Sequence, residues 1–165
     1  MGCHAQPGIG QLNKFIMTFK QKIFLHYRQL IDDKVRLLAE ILSELKESGA
    51  NETKSTAGDK HETALAMIQI EQENTLRQWN VALTQKAAFE NIDESVKTIA
   101  VTNGSLIKTN KGYFLLGIAL GKIILDGNTV IAISSQSPLG IKLMGLKTED
   151  SAEINGIRYT IERIE

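Results

Sequence analysis

From Phe15 to Leu45 the apolar residues keep a helical rhythm. Phe24, Ile31, Val35, Leu38, Leu42 and Leu45 follow one another at spacings of seven, four and three. That is the 3.5-residue seam along which two helices wind together, broken only by Arg28. A flanking stripe of Ile23, Tyr27, Leu30, Leu37 and Ile41 widens the face to be buried. Gly49 stands where a helix-ending glycine is expected, since it adopts the left-handed conformation cheaply. The polar stretch Ala50 to Gly58 then reads as a turn. A second helical pattern follows through Leu65, Ile68, Gln72, Leu76, Trp79, Leu83 and Phe89, with no Pro or Gly from Asp59 to Asn103. Two helices of similar length joined by a short polar loop predict an antiparallel coiled-coil hairpin. At 1.5 Å per residue it forms an arm about 45 Å long whose tip has nothing to pack against.

After Asn91 the period shortens. Val96–Val101, Ser105–Thr109, Tyr113–Ile118, Lys122–Leu125, Val130–Ile133 and Arg158–Ile164 are short β-branched runs. They are separated by Asn103-Gly104, Lys111-Gly112, Asp126-Gly127-Asn128 and Asn155-Gly156, all turn signals. Asn155-Gly156, between Ala152–Ile154 and Ile157–Ile161, is the clearest hairpin. Within Ser137–Gly145, Ser137 suits a helix N-cap, Pro138 the first helical position and Gly145 the stop. The fold class is therefore α+β: a helical hairpin, then a small antiparallel sheet carrying one short helix. The expected organisation is a disordered leader over 1–16, with Met17 an alternative start, an arm over 17–90 with its tip near 50–63, and a second domain over 96–165.

The 165 residues carry 19 basic and 19 acidic side chains, divided evenly between the two halves. That balance argues against a chain that coats nucleic acid, which would carry a basic excess. No apolar run reaches the roughly 18 residues of a membrane helix. The single cysteine, Cys3, excludes an internal disulfide framework and a Cys-rich zinc site. Met1-Gly2-Cys3 invites lipidation, but Gln6 stands where the myristoylation pattern wants Ser or Thr. A soluble cytoplasmic protein is expected.

One segment carries chemistry. Asp59 and Glu62, three apart where the tip turns into the second helix, direct two carboxylates the same way. The same pattern is a capping box, with Asp59 as N-cap and Glu62 reaching back, so a purely structural role stays open. Two carboxylates alone are a half-site for Mg²⁺, which takes six oxygens. They would complete a metal centre belonging to another protein, where a water is aimed at a phosphodiester. His61 lies between them but points roughly 100° from Glu62 on a helix, away from a shared site.

These features resemble the bacterial GreA/GreB transcript-cleavage factors, as a divergent member. Gly58-Asp59-x-x-Glu62 is similar to the family's acidic tip motif. Ile133-Ser134, Ser137-Pro138-Leu139, Leu143-Met144-Gly145-x-Lys147 and Tyr159-x-Ile161 are similar to its C-terminal block. The departures are Gln136 for the usual Asn or Asp, Thr63-Ala64-Leu65-Ala66-Met67 for an Asn-rich aromatic stretch, and Thr148-Glu149-Asp150 for Val-Gly-Asp. The resemblance implies an FKBP-like C-terminal domain that docks, through Gln136, Ser137 and Pro138, on the rim of the RNA polymerase secondary channel. It implies a monomer whose arm delivers Asp59 and Glu62 to the active centre. There they help bind a Mg²⁺ shared with the polymerase and stimulate cleavage of backtracked RNA at its 3′ end. The chain would have no cofactor of its own and would not itself be an enzyme.

Three other readings compete. A Gre-like regulator would fill the channel without promoting cleavage. A prolyl isomerase would need an aromatic-lined pocket, for which the C-terminal part offers only Tyr113, Phe114 and Tyr159. A coiled-coil adaptor would use the tip acids and the Ser137-Pro138 turn as caps alone.

Overall fold

A computed structural model describes residues 16–54 and 58–165, without the side chains of residues 58 and 59. Helix α1 spans Phe19–Thr53 and α2 spans Gly58–Glu90. Thr18 caps α1 in a complete capping box: its hydroxyl accepts from the Gln21 N–H at 3.2 Å, and the Gln21 side chain accepts from the Thr18 N–H at 2.9 Å. The strands are β1 Leu106–Thr109, β2 Gly112–Gly117, β3 Gly121–Leu125, β4 Asn128–Ser134, β5 Ser151–Ile154 and β6 Ile157–Ile164. Helix α3, Pro138–Leu143, joins β4 to β5.

The six strands form one sheet in the order β3-β4-β2-β1-β6-β5. Every pairing is antiparallel except β2 with β4, which run parallel from Tyr113↔Val130 to Gly117↔Ser134. Asn155 and Gly156 turn β5 into β6 with positive φ at both positions (50° and 77°), the primed turn that matches strand twist.

The sheet is buried on both faces. One face receives the base of the helical pair: Ile23, Phe24, Tyr27 and Ile31 of α1 and Phe89 of α2 pack on Leu106, Leu115, Ile123, Val130 and Ala132. Phe24 and Phe89 stack with centroids 5.2 Å apart, locking the helices together at that base. The other face packs Ile107, Phe114, Leu116 and Ile161 against Val101, Leu143 of α3 and Ala152. Val35 is the last α1 residue packed on the shared core. The rest of α1, to Thr53, carries the tip about 27 Å further at 1.5 Å per residue.

Three sequence expectations change here. Gly49 does not end α1, which runs on to Thr53. Its α-carbon instead faces α2, where an added Cβ would touch Gln72 and Ile68 at 3.6 Å. Val96–Val101 is not a strand: Lys20 Nζ donates to the Val96 carbonyl at 3.2 Å, and Val101 exchanges 2.8 Å backbone bonds with Leu146 and Gly145 in the loop after α3. The helical seam is also narrower than its stripes. Leu30, Leu37 and Leu76 are half-exposed, while the small residues Thr75 and Ala82 are buried.

Candidate functional site: the tip of the helical arm

The tip is the end of the hairpin remote from the sheet. In the last turn of α1, Thr53 Oγ1 donates to the Ala50 carbonyl at 2.7 Å, and the Lys54 N–H closes on Asn51 at 3.2 Å. These bonds satisfy carbonyls that a helix end would otherwise leave unpaired. Just below the tip, Gln72 Nε2 crosses from α2 to the Leu45 carbonyl at 3.1 Å. A polar residue therefore occupies an otherwise apolar seam position without leaving its donor unpaired.

Helix α2 begins at Gly58, so Asp59 lies inside its first turn. Its side chain falls outside the described residues. The cap role that the spacing offered Asp59 therefore lies outside the described residues. Glu62 occupies the same turn and is exposed; among the described residues it makes no hydrogen bond or ion pair. The first turn of a helix carries partial positive charge from unpaired N–H groups, which stabilises carboxylates placed there.

His61 is turned inward. Its Nδ1 lies 3.4 Å from Glu52 Oε2, tying the first turn of α2 to the last turn of α1. The contact joins residues nine apart across the loop, a relationship with no signature in the sequence. Among the described residues no three His, Cys, Asp or Glu side chains cluster closely enough to hold a metal. The donors offered at the tip are carboxylate oxygens, which suit a hard cation such as Mg²⁺ but supply only part of its shell.

The second set of candidates lies far from the tip, at the start of α3. Ser137 is the N-cap: its Oγ accepts from the Gly140 N–H at 3.1 Å and donates to the Ser134 carbonyl at 2.6 Å. Pro138 fills the first helical position, where its missing N–H costs nothing. The turn closes tightly over Gly140, whose added Cβ would fall 2.1 Å from the Ser134 carbonyl oxygen. Gln136 and Pro138 are exposed beside it. The Ser137 hydroxyl is thus engaged within the turn, and the exposed surface belongs to its two neighbours.

No protein-family profile matches the chain, and no curated protein matches it. Among solved structures the chain is similar to that of the transcription factor Gfh1. The two are 15% identical over 86% of this chain and 88% of that one, with a TM-score of 0.29. None of the helices described is long and apolar enough to cross a membrane.

A separate polar feature lies at the other end of the molecule. Lys20 is buried among the α1 N-terminus, the segment after α2 and the end of β6, in a cleft of about 760 Å³ with Lys97, Arg163 and Glu165. Burial lowers the pKa of its ammonium, partly opposed by Glu165, Asp93 and Glu94. Its donation to Val96 holds the connecting segment against α1.

Proposed function

We propose that this chain is a transcription elongation factor that enters the RNA polymerase secondary channel and stimulates cleavage of backtracked RNA. The observation that carries the reading is the exposed Glu62, in one helical turn with Asp59, at the end of a two-helix arm reaching about 27 Å beyond its last core contact. An arm of that reach places carboxylates inside a narrow passage while the sheet domain stays outside. Gln136 and Pro138, exposed on the sheet domain, would meet the rim.

The division of labour follows from the donors. The tip carboxylates would supply oxygens to a Mg²⁺ whose remaining ligands come from the polymerase and its RNA, and that ion would lower the pKa of an attacking water. The chain's own part is to orient and to contribute negative charge. The catalytic centre belongs to the polymerase, so the factor activates it without being an enzyme. The arrangement needs no cofactor bound to the chain in isolation and operates in the cytoplasm.

The decisive experiment uses a purified, backtracked cognate polymerase. The native chain is expected to accelerate release of 3′ fragments, and the Asp59→Asn, Glu62→Gln double variant to lose that acceleration while still competing with the native chain for the polymerase. Equal cleavage by both chains would overturn the tip chemistry. Binding without acceleration by the native chain would leave the silent channel occupant in its place.

A further inference from the structure

The seam between the two helices of the arm runs to its far end in alternating steps of three and four, and its last layer is polar. On α1 the inward positions Leu42, Leu45, Gly49 and Glu52 are half-buried, and every residue between them is exposed. On α2 the matching positions Ile68, Leu65 and His61 are also half-buried. Gly49 faces Ile68 and Gln72. One step further out Glu52 meets His61, with Oε2 3.4 Å from Nδ1. Apolar side chains are what a seam of this period ordinarily takes.

That last layer is a poor choice for stability alone. The carbonyl end of α1 carries partial negative charge and the N–H end of α2 partial positive charge. A carboxylate in the first setting and a proton-binding imidazole in the second each stand at the wrong end of their helix. Their contact with each other offsets this, but leucine at either position would bury more apolar surface. What a polar pair supplies is direction: a polar residue at one seam position sets register at a cost in stability. At 3.4 Å the contact is longer than an ordinary N–H···O bond, so it contributes orientation more than energy. The layer beneath cannot do this, because Gly49 has no side chain with which to grip α2.

We infer that His61 is a positioning residue: through Glu52 it fixes the rotation of the first turn of α2, and so the direction in which Glu62 presents its carboxylate. The two residues are consecutive and about 100° apart around the helix, so holding the imidazole inward holds the carboxylate outward. Glu62 is exposed and has no bond of its own among the described residues to aim it. A first turn free to rotate would spread that carboxylate over directions of which few meet a metal centre. The inference rests on the proposed function, and His61 acts without touching metal, water or RNA.

The test uses the full chain with a purified, backtracked polymerase, together with amide hydrogen exchange of the free chain. His61→Leu keeps the seam apolar and removes the directional contact, whereas His61→Asn keeps an N–H donor where Nδ1 stood. With His61→Leu the cleavage rate at saturating factor should fall roughly tenfold, while the half-saturating concentration is unchanged and Tm is not lowered. His61→Asn should restore most of that rate. In the free chain the Ala64 and Leu65 amides should exchange faster in His61→Leu than in the native chain or His61→Asn. A packing role alone would leave His61→Leu as fast as the native chain, and that result overturns the inference while the proposed function stands. So would a rate lost equally in both variants, or Ala64 and Leu65 exchange that is the same in all three chains. No acceleration by the native chain would overturn the proposed function, and the positioning role with it.

Discussion

The hydroxyl of Tyr27 occupies the place in the β3–β4 ladder where Ala132 would meet Gly121. The register sets those two residues opposite each other. Their backbone groups bond through the phenol instead: it donates to the Gly121 carbonyl at 2.8 Å and accepts from the Ala132 N–H at 3.1 Å. The ring is fully buried beside Phe89. One side chain of α1 thereby completes the sheet and fixes the arm to it.

Tyr27→Phe should cost about 1–3 kcal/mol, because it leaves a buried N–H and a carbonyl without their partner. Urea unfolding at neutral pH measures this. A loss below about 0.5 kcal/mol would mean that the Gly121–Ala132 bond simply re-forms.

The same residue gives a pH signature. Burial raises the Tyr27 pKa from 10 to about 12, with the Ala132 N–H partly opposing. The native state therefore holds this proton more tightly than the unfolded chain. The stabilisation is fully present below pH 10 and is lost as pH rises towards 12, an effect of about 2–3 kcal/mol. Unfolding midpoints at pH 9 and 11.5 should diverge more for the native chain than for Tyr27→Phe, which cancels the common contribution of the lysines.

Gly49→Ala should stabilise the chain by about 0.5–1 kcal/mol. The residue sits in mid-helix, and its new methyl group would meet Gln72 and Ile68 at ordinary contact distance. A higher Tm is expected. A lower one would mean that the two helices approach more closely there than 3.6 Å implies.

Three substitutions at the α3 turn separate architecture from docking. Gly140→Ala forces a Cβ against the Ser134 carbonyl at 2.1 Å and should destabilise by several kcal/mol. Ser137→Ala removes the cap and the hydroxyl's bond to the Ser134 carbonyl and should cost about 1–2 kcal/mol. If Gln136 and Pro138 form the docking surface, Gln136→Ala should weaken polymerase binding with Tm unchanged, since among the described residues its exposed side chain makes no hydrogen bond and only its N–H bonds Ser134 Oγ.

At the tip, Asp59→Asn with Glu62→Gln should lower Tm by no more than a few degrees, because the charge term at a helix start is worth about 0.3–1 kcal/mol per carboxylate. Thermal unfolding checks that any loss of stimulated cleavage comes from charge and not from a frayed arm.

What the sequence revealed and what it hid divide by range. The Asn155-Gly156 hairpin and the Ser137-Pro138 helix start are encoded within four or five residues, and both form as written. The coiled-coil pair is legible because its spacing repeats over many turns. Gly49 misleads because glycine marks a helix end only where nothing packs against it, and here Ile68 and Gln72 do. Val96–Val101 misleads because β-branched residues record a preference for extended backbone, not the presence of a strand to pair with. Thr75 and Ala82 escape notice because small residues, though buried here, carry little of the hydrophobic signal from which the seam is read. The parallel β2–β4 pairing rests on a tertiary choice that no local pattern records. At the tip, the inward turn of His61 towards Glu52 depends on where the loop returns the chain, which no local pattern records.

Because Tyr27, Phe24 and Phe89 serve the sheet and the helices at once, the arm behaves as a lever whose fulcrum lies in the hydrophobic interior. A tilt of roughly 10° at that pivot would sweep the far end by about 5 Å, given its 1.5 Å rise per residue. Aim is therefore set by side chains that never approach the working end, and volume-altering replacements at Phe89 should misdirect the lever while leaving every residue at its extremity intact.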